Sequence, residues 1–330
     1  FWDPLDKKYI DFTQPFDMKT TTVIPMDFVL EMQTPIADRL SGEEKIALAN
    51  ESARWMLSSI LHGEAGALAL SASLCHILKD PGAQEYAANQ TREEARHVTG
   101  FARYVQARWG KPKPCGVVLE KLLCEIVATP LVWKKLVGMQ MIVEGLAMGT
   151  FATFYAKTND PLMRRLMQLV MTDEAFHHKF GKIWADRTVP NLPEAERDLI
   201  EDWALEVFMT LMRNSTGPEQ KKEIYERIGL DWRWVQGALA EALTDRNMRR
   251  ELQESTNVFR VLIKTLVKAG IVTSRTAPMY AAYVDMAELY GEGDRMVGDD
   301  IAEEGIKYLQ QLNGAGGDAA IFALGATAAE

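Results

Sequence analysis

The sequence contains little cysteine and no surplus of positive charge. Its 330 residues include three cysteines, Cys75, Cys115 and Cys124, and no CxxC pair, which argues against a disulfide scaffold and a structural zinc site. Lys+Arg total 37 against 46 for Asp+Glu, so the net charge of −9 argues against a nucleic-acid partner. Residues 1–20 carry repeated charges and no apolar run of the signal-peptide type. These absences predict a cytoplasmic protein.

The sequence also has no segment that alternates like a strand, and its long apolar runs are not free of charge. Residues 58–78 and 136–156 are long enough to cross a bilayer, but each contains one carboxylate, Glu64 or Glu144. A carboxylate inside a spanning helix is costly, whereas the central helix of a soluble bundle is simply buried. The segments that follow are too charged to lie in lipid, so we expect no membrane association.

Helix signals are frequent along the rest of the chain. Four prolines exclude a long helix from the first forty residues: Pro4, Pro15, Pro25 and Pro35. Ser41 and Glu44 form a capping-box pattern that opens a helix extending to about residue 79. Further helices are predicted over about 83–109, 131–158 and 161–187, with a shorter one over about 117–128. Shorter helices are expected up to about residue 290.

Two of the five histidines follow a glutamate by three residues, in Glu94-Ala-Arg-His97 and Glu174-Ala-Phe-His177. Three residues are nearly one helical turn, so each pair shares a helix face and can bind one metal ion. One such pair is a weak signal, because Glu and His often meet at this spacing by chance. Two copies are a stronger signal.

A lone glutamate precedes each motif by 30 residues, Glu64 before Glu94 and Glu144 before Glu174. The midpoint of each pair falls on a predicted turn, and residues equidistant from the turn of a helix hairpin lie at the same height. The two halves also match at an offset of 80 residues, as in a duplicated two-helix unit. The spacing predicts that four helices bring six ligands together: Glu64, Glu94, His97, Glu144, Glu174 and His177.

Four carboxylates nearly balance two divalent ions, and without metal they would be unstable buried charge. Glu93 and Asp173 stand directly before the motif glutamates and could accept hydrogen bonds from the ligand histidines or from Arg96. Either could instead be a ligand, since each precedes its histidine by four residues. We prefer Glu94 and Glu174 because they match in kind as well as in position.

The segments Thr91-Arg-Glu-Glu-Ala-Arg-His97 and Thr172-Asp-Glu-Ala-Phe-His177, with the two lone glutamates, resemble the ferritin-like superfamily of O2-activating di-iron proteins. Its members include the ribonucleotide reductase small subunit, multicomponent monooxygenases, acyl-carrier-protein desaturases, aldehyde-deformylating oxygenases and ferritins. The resemblance implies an all-α, ferritin-like four-helix bundle of two helix hairpins with extra C-terminal helices. It also implies two iron ions, or Mn/Fe, that reduce O2 to a peroxo or high-valent species, an external electron donor such as a reductase or ferredoxin, and a homodimer.

Three positions depart from particular members of that superfamily. Phe101 stands where the reductase subunit typically has its radical tyrosine, although Tyr104 one turn later leaves a radical role open. Met148 stands where multicomponent monooxygenases usually have a threonine, and Val170 where the N-oxygenases have a further histidine. The additional helices and the N-terminal arm argue against mineral storage.

Positions on the same helix faces as the ligands are apolar and predict a pocket for an apolar substrate: Ala67, Leu68, Phe101, Ala147, Met148 and Phe151. A water-poor pocket protects a reactive oxidant, although such residues also fill ordinary cores.

We therefore expect an O2-dependent di-iron oxidase or oxygenase acting on a small or medium, largely apolar organic substrate. The alternatives are a radical-generating or ferroxidase-type subunit related to the ribonucleotide reductase small subunit, and a structural bundle without activity. The expected organisation is an N-terminal arm (1–40), a di-metal four-helix bundle (41–187), additional helices packed on the bundle (188–291), and a C-terminal segment and tail (292–330).

Overall fold

The structure, a computed structural model, describes residues 1–213, 217–244 and 257–314, and within these ranges the regular elements are helices, with no strand. The predicted all-α class is confirmed. The α-helices in chain order are α1 (Gly42–Ile77), α2 (Pro81–Trp109), α3 (Val117–Ala128), α4 (Val132–Leu136), α5 (Glu144–Lys157), α6 (Pro161–Thr188), α7 (Glu194–Arg213), α8 (Lys222–Arg227), α9 (Trp232–Thr244), α10 (Asn257–Lys268), α11 (Ala277–Tyr280), α12 (Met286–Gly291) and α13 (Val297–Gly314). Residues 315–330 of the expected tail lie outside the described residues.

Two helix hairpins, α1 with α2 and α5 with α6, carry all six predicted ligands. The capping box at Ser41 is present, with the Glu44 backbone N–H donating to the Ser41 hydroxyl. Both hairpin turns use an aspartate cap followed by a proline: the Asp80 carboxylate accepts from the Ala83 N–H at 2.8 Å, and the Asp160 carboxylate accepts from the Leu162 N–H at 3.0 Å. An aspartate cap satisfies a free N–H, and proline fits the first helical position.

The helix predicted over 131–158 is interrupted by a π-helical segment, Val137–Val143, between α4 and α5. Such wider turns often occur at functional sites. Gly181 of α6 allows this segment to approach closely, because a Cβ there would lie 2.9 Å from Cβ of Gln140. The segment ends directly before Glu144, so it sets the position of that carboxylate.

The N-terminal arm, residues 1–40, packs against the hairpins. Trp2 is fully buried in a core shared with α1, α2, α5 and α6. Asn50 of α1 holds the arm by accepting from the Val23 N–H at 2.8 Å and donating to the Met18 carbonyl at 2.9 Å. Buried amides paired in this way fix the path of a chain that has little regular structure of its own.

The later helices cover the hairpins from outside. Helix α10 packs on α5 and on the π-helical segment, and α13 packs on α6 and α5. Helices α3 and α7 contact each other beside α1 and the π-helical segment. The two hairpins are therefore largely enclosed, which excludes water from the site between them.

Two helical stretches, Gly42–Ile77 and Val132–Lys157, are long and apolar enough to cross a membrane by length and composition. In their most apolar windows, 39% of the first and 72% of the second is buried inside the protein. Core helices of soluble proteins pass the same test, and each stretch carries a buried glutamate of the cluster. These features are compatible with a soluble protein.

Candidate metal centre

The predicted ligands converge at one buried point between α1, α2, α5 and α6. Nδ1 of His97 lies 3.1 Å from Oε2 of Glu64, 3.4 Å from Oε2 of Glu94 and 3.1 Å from Oε1 of Glu174. Nδ1 of His177 lies 3.1 Å from Oε1 of Glu94 and 3.3 Å from Oε2 of Glu174. Glu94 and Glu174 therefore each approach both imidazoles.

The ligand atoms form two overlapping groups, each with all its atoms within 4.8 Å of one another. Glu64 belongs to the His97 group and Glu144 to the His177 group, while Glu94 occurs in both. Because nitrogen and oxygen ligands bind a divalent ion at about 2 Å, each group is compact enough for one ion. The two groups share Glu94, so the cluster is compatible with a metal site.

Each imidazole turns Nδ1 towards the cluster and Nε2 towards an outer carboxylate on the opposite hairpin. Nε2 of His97 lies 3.1 Å from Oδ2 of Asp173, and Nε2 of His177 lies 2.9 Å from Oε2 of Glu93. An outer carboxylate that accepts from Nε2–H leaves the Nδ1 lone pair for a metal and fixes the ring. Each of the two residues predicted as an outer layer therefore contacts the histidine of the other motif: Asp173 contacts His97, and Glu93 contacts His177.

Asp173 has the more elaborate surroundings of the two outer carboxylates. Its Oδ2 also accepts from Nη2 of Arg96 and from Nε1 of Trp2, both at 2.9 Å. Burial opposes ionisation, but the hydrogen bonds and charges of His97 and Arg96 lower the pKa of Asp173 to about 2. Asp173 is therefore held as a carboxylate with three donors. Trp2 was not predicted, since nothing in the sequence links positions 171 residues apart.

Two buried amides connect the carboxylates to the π-helical segment. Nε2 of Gln90 donates to Oε1 of Glu94 at 3.1 Å and to Oε1 of Glu144 at 3.0 Å. Nε2 of Gln140, in the π-helical segment, donates to Oε1 of Gln90 at 3.2 Å. Sequence reasoning missed this pair, although Gln90 stands one turn before Glu94 on the same helix face and could have been found from that spacing.

The carboxylates divide into two kinds by charge. Burial raises the pKa of Glu64 to about 8 and that of Glu144 well above its usual range. Burial acts on Glu94 and Glu174 as well, but the positive imidazole of His177 outweighs it and lowers the pKa of both. Without a metal, protons shared among these groups limit the buried negative charge. A divalent ion replaces such protons when it binds.

Four buried ligand atoms make no hydrogen bond of regular geometry among the described residues, although the last three lie 3.1–3.4 Å from an ion-pair partner within the cluster: Oε2 of Glu144, Oε2 of Glu94, Oε2 of Glu174 and Nδ1 of His177. Buried polar atoms left unpaired are rare and costly. All four belong to residues of the two groups, and a set of carboxylates and imidazoles suits iron or manganese. The residues present therefore fit a pair of divalent ions.

A small cavity of about 120 Å³, here named the inner cavity, lies beside the cluster. Its walls are mostly apolar, apart from the four cluster carboxylates and two hydroxyl side chains: Glu64, Glu94, Glu144, Glu174, Ser59 and Thr150. Two of the predicted pocket residues, Ala67 and Ala147, line it. A substrate or O2 in this cavity would meet the carboxylate side of the centre.

The other four predicted pocket residues lie outside the inner cavity. Leu68 and Met148 each follow a lining alanine by one residue, and a step of one turns a side chain about 100° around the helix. Phe101 and Phe151 stack on each other with ring centroids 5.6 Å apart in the core. The hydroxyl of Tyr104 donates to Asp160 at 2.7 Å, at the hairpin turn.

An all-helical chain with a buried Glu/His cluster of metal-binding dimensions is compatible with the ferritin-like resemblance. Compared with protein-family models, curated proteins and solved structures, the chain matches none of them. The assignment of a function therefore rests on the cluster and its surroundings.

Proposed function

We propose that the protein is a soluble, cytoplasmic oxidase or oxygenase that holds two iron ions, or one manganese and one iron, and uses O2 to oxidise an apolar organic substrate. The observation that carries this proposal is the convergence of four carboxylates and two Nδ1 atoms on one buried centre beside an apolar cavity. A storage site or a purely structural ion has no need of such a cavity.

The bound ions would supply the redox chemistry of O2. In the oxygenase reaction, a substrate R–H, O2, two electrons and two protons give R–OH and water. One oxygen atom enters the C–H bond and the other leaves as water, so the two electrons must come from an external donor. We propose a reductase or a ferredoxin as that donor, and a homodimer as the assembly.

The side chains of the chain itself have separable tasks in this proposal. Glu94 and Glu174 each approach both imidazoles and would hold both ions, while Asp173 and Glu93 fix the imidazole rings through Nε2. Gln90 orients two carboxylates from different hairpins. The apolar wall of the inner cavity limits water, which protects an oxidant from side reactions.

The test is a pulse of O2 given to anaerobic protein loaded with Fe(II), with O2 uptake, the visible spectrum and electron paramagnetic resonance recorded together. We expect stoichiometric O2 uptake and a transient absorption that decays without a persistent organic radical. Glu144→Ala and His177→Ala should abolish the uptake, and Glu85→Ala on the exposed face of α2 should not. Absence of O2 uptake by the parent protein would contradict the proposal.

A radical-generating subunit is the second candidate, and one observation favours it. Trp2 donates to Asp173, which in turn accepts from His97, so hydrogen bonds join an oxidisable indole to a ligand. In that function the O2 pulse would leave a long-lived organic radical. A ferroxidase function would instead leave a ferric core and no oxidised organic product.

A further inference from the structure

A second cavity of about 380 Å³, here named the outer cavity, adjoins the inner cavity. Its volume falls in the range of about 300–1,000 Å³ that is typical of small-molecule sites. The two cavities share five lining residues: Ser59, Ile60, Leu119, Leu146 and Thr150. Because the same side chains face both spaces, we infer that a molecule in the outer cavity reaches the metal centre past them.

The combined space is elongated along two helices. The lining residues of α1 and of α5 recur at steps of three or four, so one face of each helix forms a wall of the space. These residues are Gly63, Ser59, Met56 and Ser52 on α1 and Ala147, Thr150 and Phe154 on α5. From Glu64 at the metal centre to Ser52, α1 rises about 18 Å at ~1.5 Å per residue. The space is therefore much longer than a compact ligand needs.

The outer cavity offers a ligand no net charge. Among its lining residues in the described part of the chain, the charged ones are Glu31 and Lys221, and they form a buried ion pair with each other. The Tyr225 hydroxyl donates to the same Glu31 carboxylate. Other lining side chains are apolar or carry hydroxyl, indole or amide groups. A carboxylate or ammonium placed here would be desolvated without a free counter-charge.

We propose that the outer and inner cavities together bind one elongated, uncharged, apolar molecule, lying lengthwise between α1 and α5 with one end beside the cluster carboxylates. That this molecule is the substrate rests on the proposed function, whereas the binding of the molecule does not require metal. The five shared side chains form the passage through which its inner end enters. The ion pair of Glu31 and Lys221 excludes charged molecules of the same length.

The first experiment compares decanol with decanoate, two probes of equal chain length, by calorimetric titration of the full-length, metal-free protein. We expect one decanol to bind per chain and decanoate to bind at least about tenfold more weakly, because no described residue of the cavity lining offers a cation without a carboxylate partner. Equal affinity for both probes, or no saturable binding of decanol, would overturn the proposal.

A blocking variant locates the site. Thr153 lines the outer cavity and not the inner one, so Thr153→Trp should fill the space and weaken decanol binding at least about tenfold. The matched control is Thr20→Trp at an exposed position of the arm. Circular dichroism and thermal unfolding of both variants show that each is folded. Unchanged decanol affinity in folded Thr153→Trp would place the molecule elsewhere.

A charge variant tests the role of the ion pair. Glu31→Gln leaves Lys221 without its carboxylate, so decanoate should bind at least about tenfold more tightly than to the parent protein. If this variant does not fold, the comparison of the two threonine variants still decides the location. A folded Glu31→Gln protein that still rejects decanoate would show that the pair does not set the charge preference.

Loading the protein with Mn²⁺ separates the binding proposal from the proposed function. Paramagnetic relaxation of decanol protons should fall steeply from one end of the chain to the other if the molecule lies lengthwise from the centre. Uniform relaxation along the bound molecule would contradict the lengthwise placement. If the protein binds decanol saturably but takes up no metal, the proposed binding site is supported and the proposed di-metal function is contradicted.

Discussion

The two histidine sides of the cluster are built alike and surrounded differently. His97 and His177 follow the same motif at an offset of 80 residues, and each passes a hydrogen bond to an outer carboxylate. Asp173, which serves His97, has a side chain 11% exposed, whereas Glu93, which serves His177, is 29% exposed. The outer carboxylate is therefore less exposed on the His97 side, here called the sealed side, than on the His177 side, here called the open side.

The N-terminal arm produces this difference. Trp2 covers the His97 side. Its ring stacks on the imidazole of His97 with ring centroids 6.3 Å apart, and its N–H donates to Asp173. Arg96 joins the two sides, at 2.9 Å from Asp173 and 3.8 Å from Glu93. A segment outside the two motifs thus gives different surroundings to two histidines that the motifs place alike.

The largest expected effect comes from the carboxylates that the two sides share. Glu94→Ala should lose both ions, because Glu94 lies 3.4 Å from Nδ1 of His97 and 3.1 Å from Nδ1 of His177. Glu64→Ala should lose mainly the ion of the His97 side. Metal content per chain after anaerobic loading measures both, with Glu85→Ala as the control. Equal losses from Glu64→Ala and Glu94→Ala would show that the carboxylates are not divided between sides.

The next effect separates the outer carboxylates. Asp173→Asn should weaken metal binding about 10- to 100-fold, since it removes the charge that fixes His97 and leaves buried Arg96 only its longer contact with Glu93. Glu93→Gln should weaken metal binding less than about fivefold, because water can replace the more exposed Glu93 carboxylate as the partner of His177. Competition with a chelator gives both affinities. A larger loss from Glu93→Gln would reverse the assignment of the sealed and open sides.

Much of the centre could be predicted from the sequence, because helix geometry converts spacing into position. The 30-residue intervals and the two turns place Glu64 and Glu144 opposite their motifs, and capping signals give the ends of α1 and α6 to within about two residues. From the sequence, Glu93 and Asp173 could be either ligands or acceptors of hydrogen bonds from the ligand histidines. The structure places both of them against Nε2 of a histidine.

Other features depend on tertiary packing and could not be predicted. The contact of Trp2 with Asp173 joins segments without any periodic relation. Of the six residues expected around the pocket, Ala67 and Ala147 line the inner cavity, whereas the rings of Phe101 and Phe151 pack against each other in the core. The cavity instead opens between α1 and α5, where the arm and later helices complete its walls. The π-helical segment has no composition signal that distinguishes it from an α-helix.

A smaller effect is expected from the amide that only one hairpin carries. Gln90 donates to Glu94 and Glu144, while the equivalent position in the other motif is Val170. Gln90→Leu should weaken metal binding on the His177 side by about tenfold or more, because each hydrogen bond to a charged group contributes roughly 1.5–3 kcal/mol. Gln106→Leu, on an exposed position of the same helix, is the control. Unchanged affinity would mean that Gln90 positions neither carboxylate.

The smallest effect concerns the cover of the sealed side. Trp2→Phe keeps a ring but loses the N–H donor to Asp173, and should lower the free energy of unfolding by about 1–2 kcal/mol. Chemical denaturation measures this loss. In an Asp173→Asn background the same change should cost less, because the two residues share one hydrogen bond. Equal costs in both backgrounds would show that the hydrogen bond contributes nothing.

The central claim, that six side chains hold two ions, is tested most directly by titrating the metal-free protein with Fe(II) under anaerobic conditions and following bound iron and thermal unfolding. We predict saturation at two irons per chain. A ligand at 100 times its dissociation constant stabilises by about 2.7 kcal/mol, so the unfolding temperature should rise by several degrees. Binding of less than one iron per chain, or no rise in the unfolding temperature, would contradict the account.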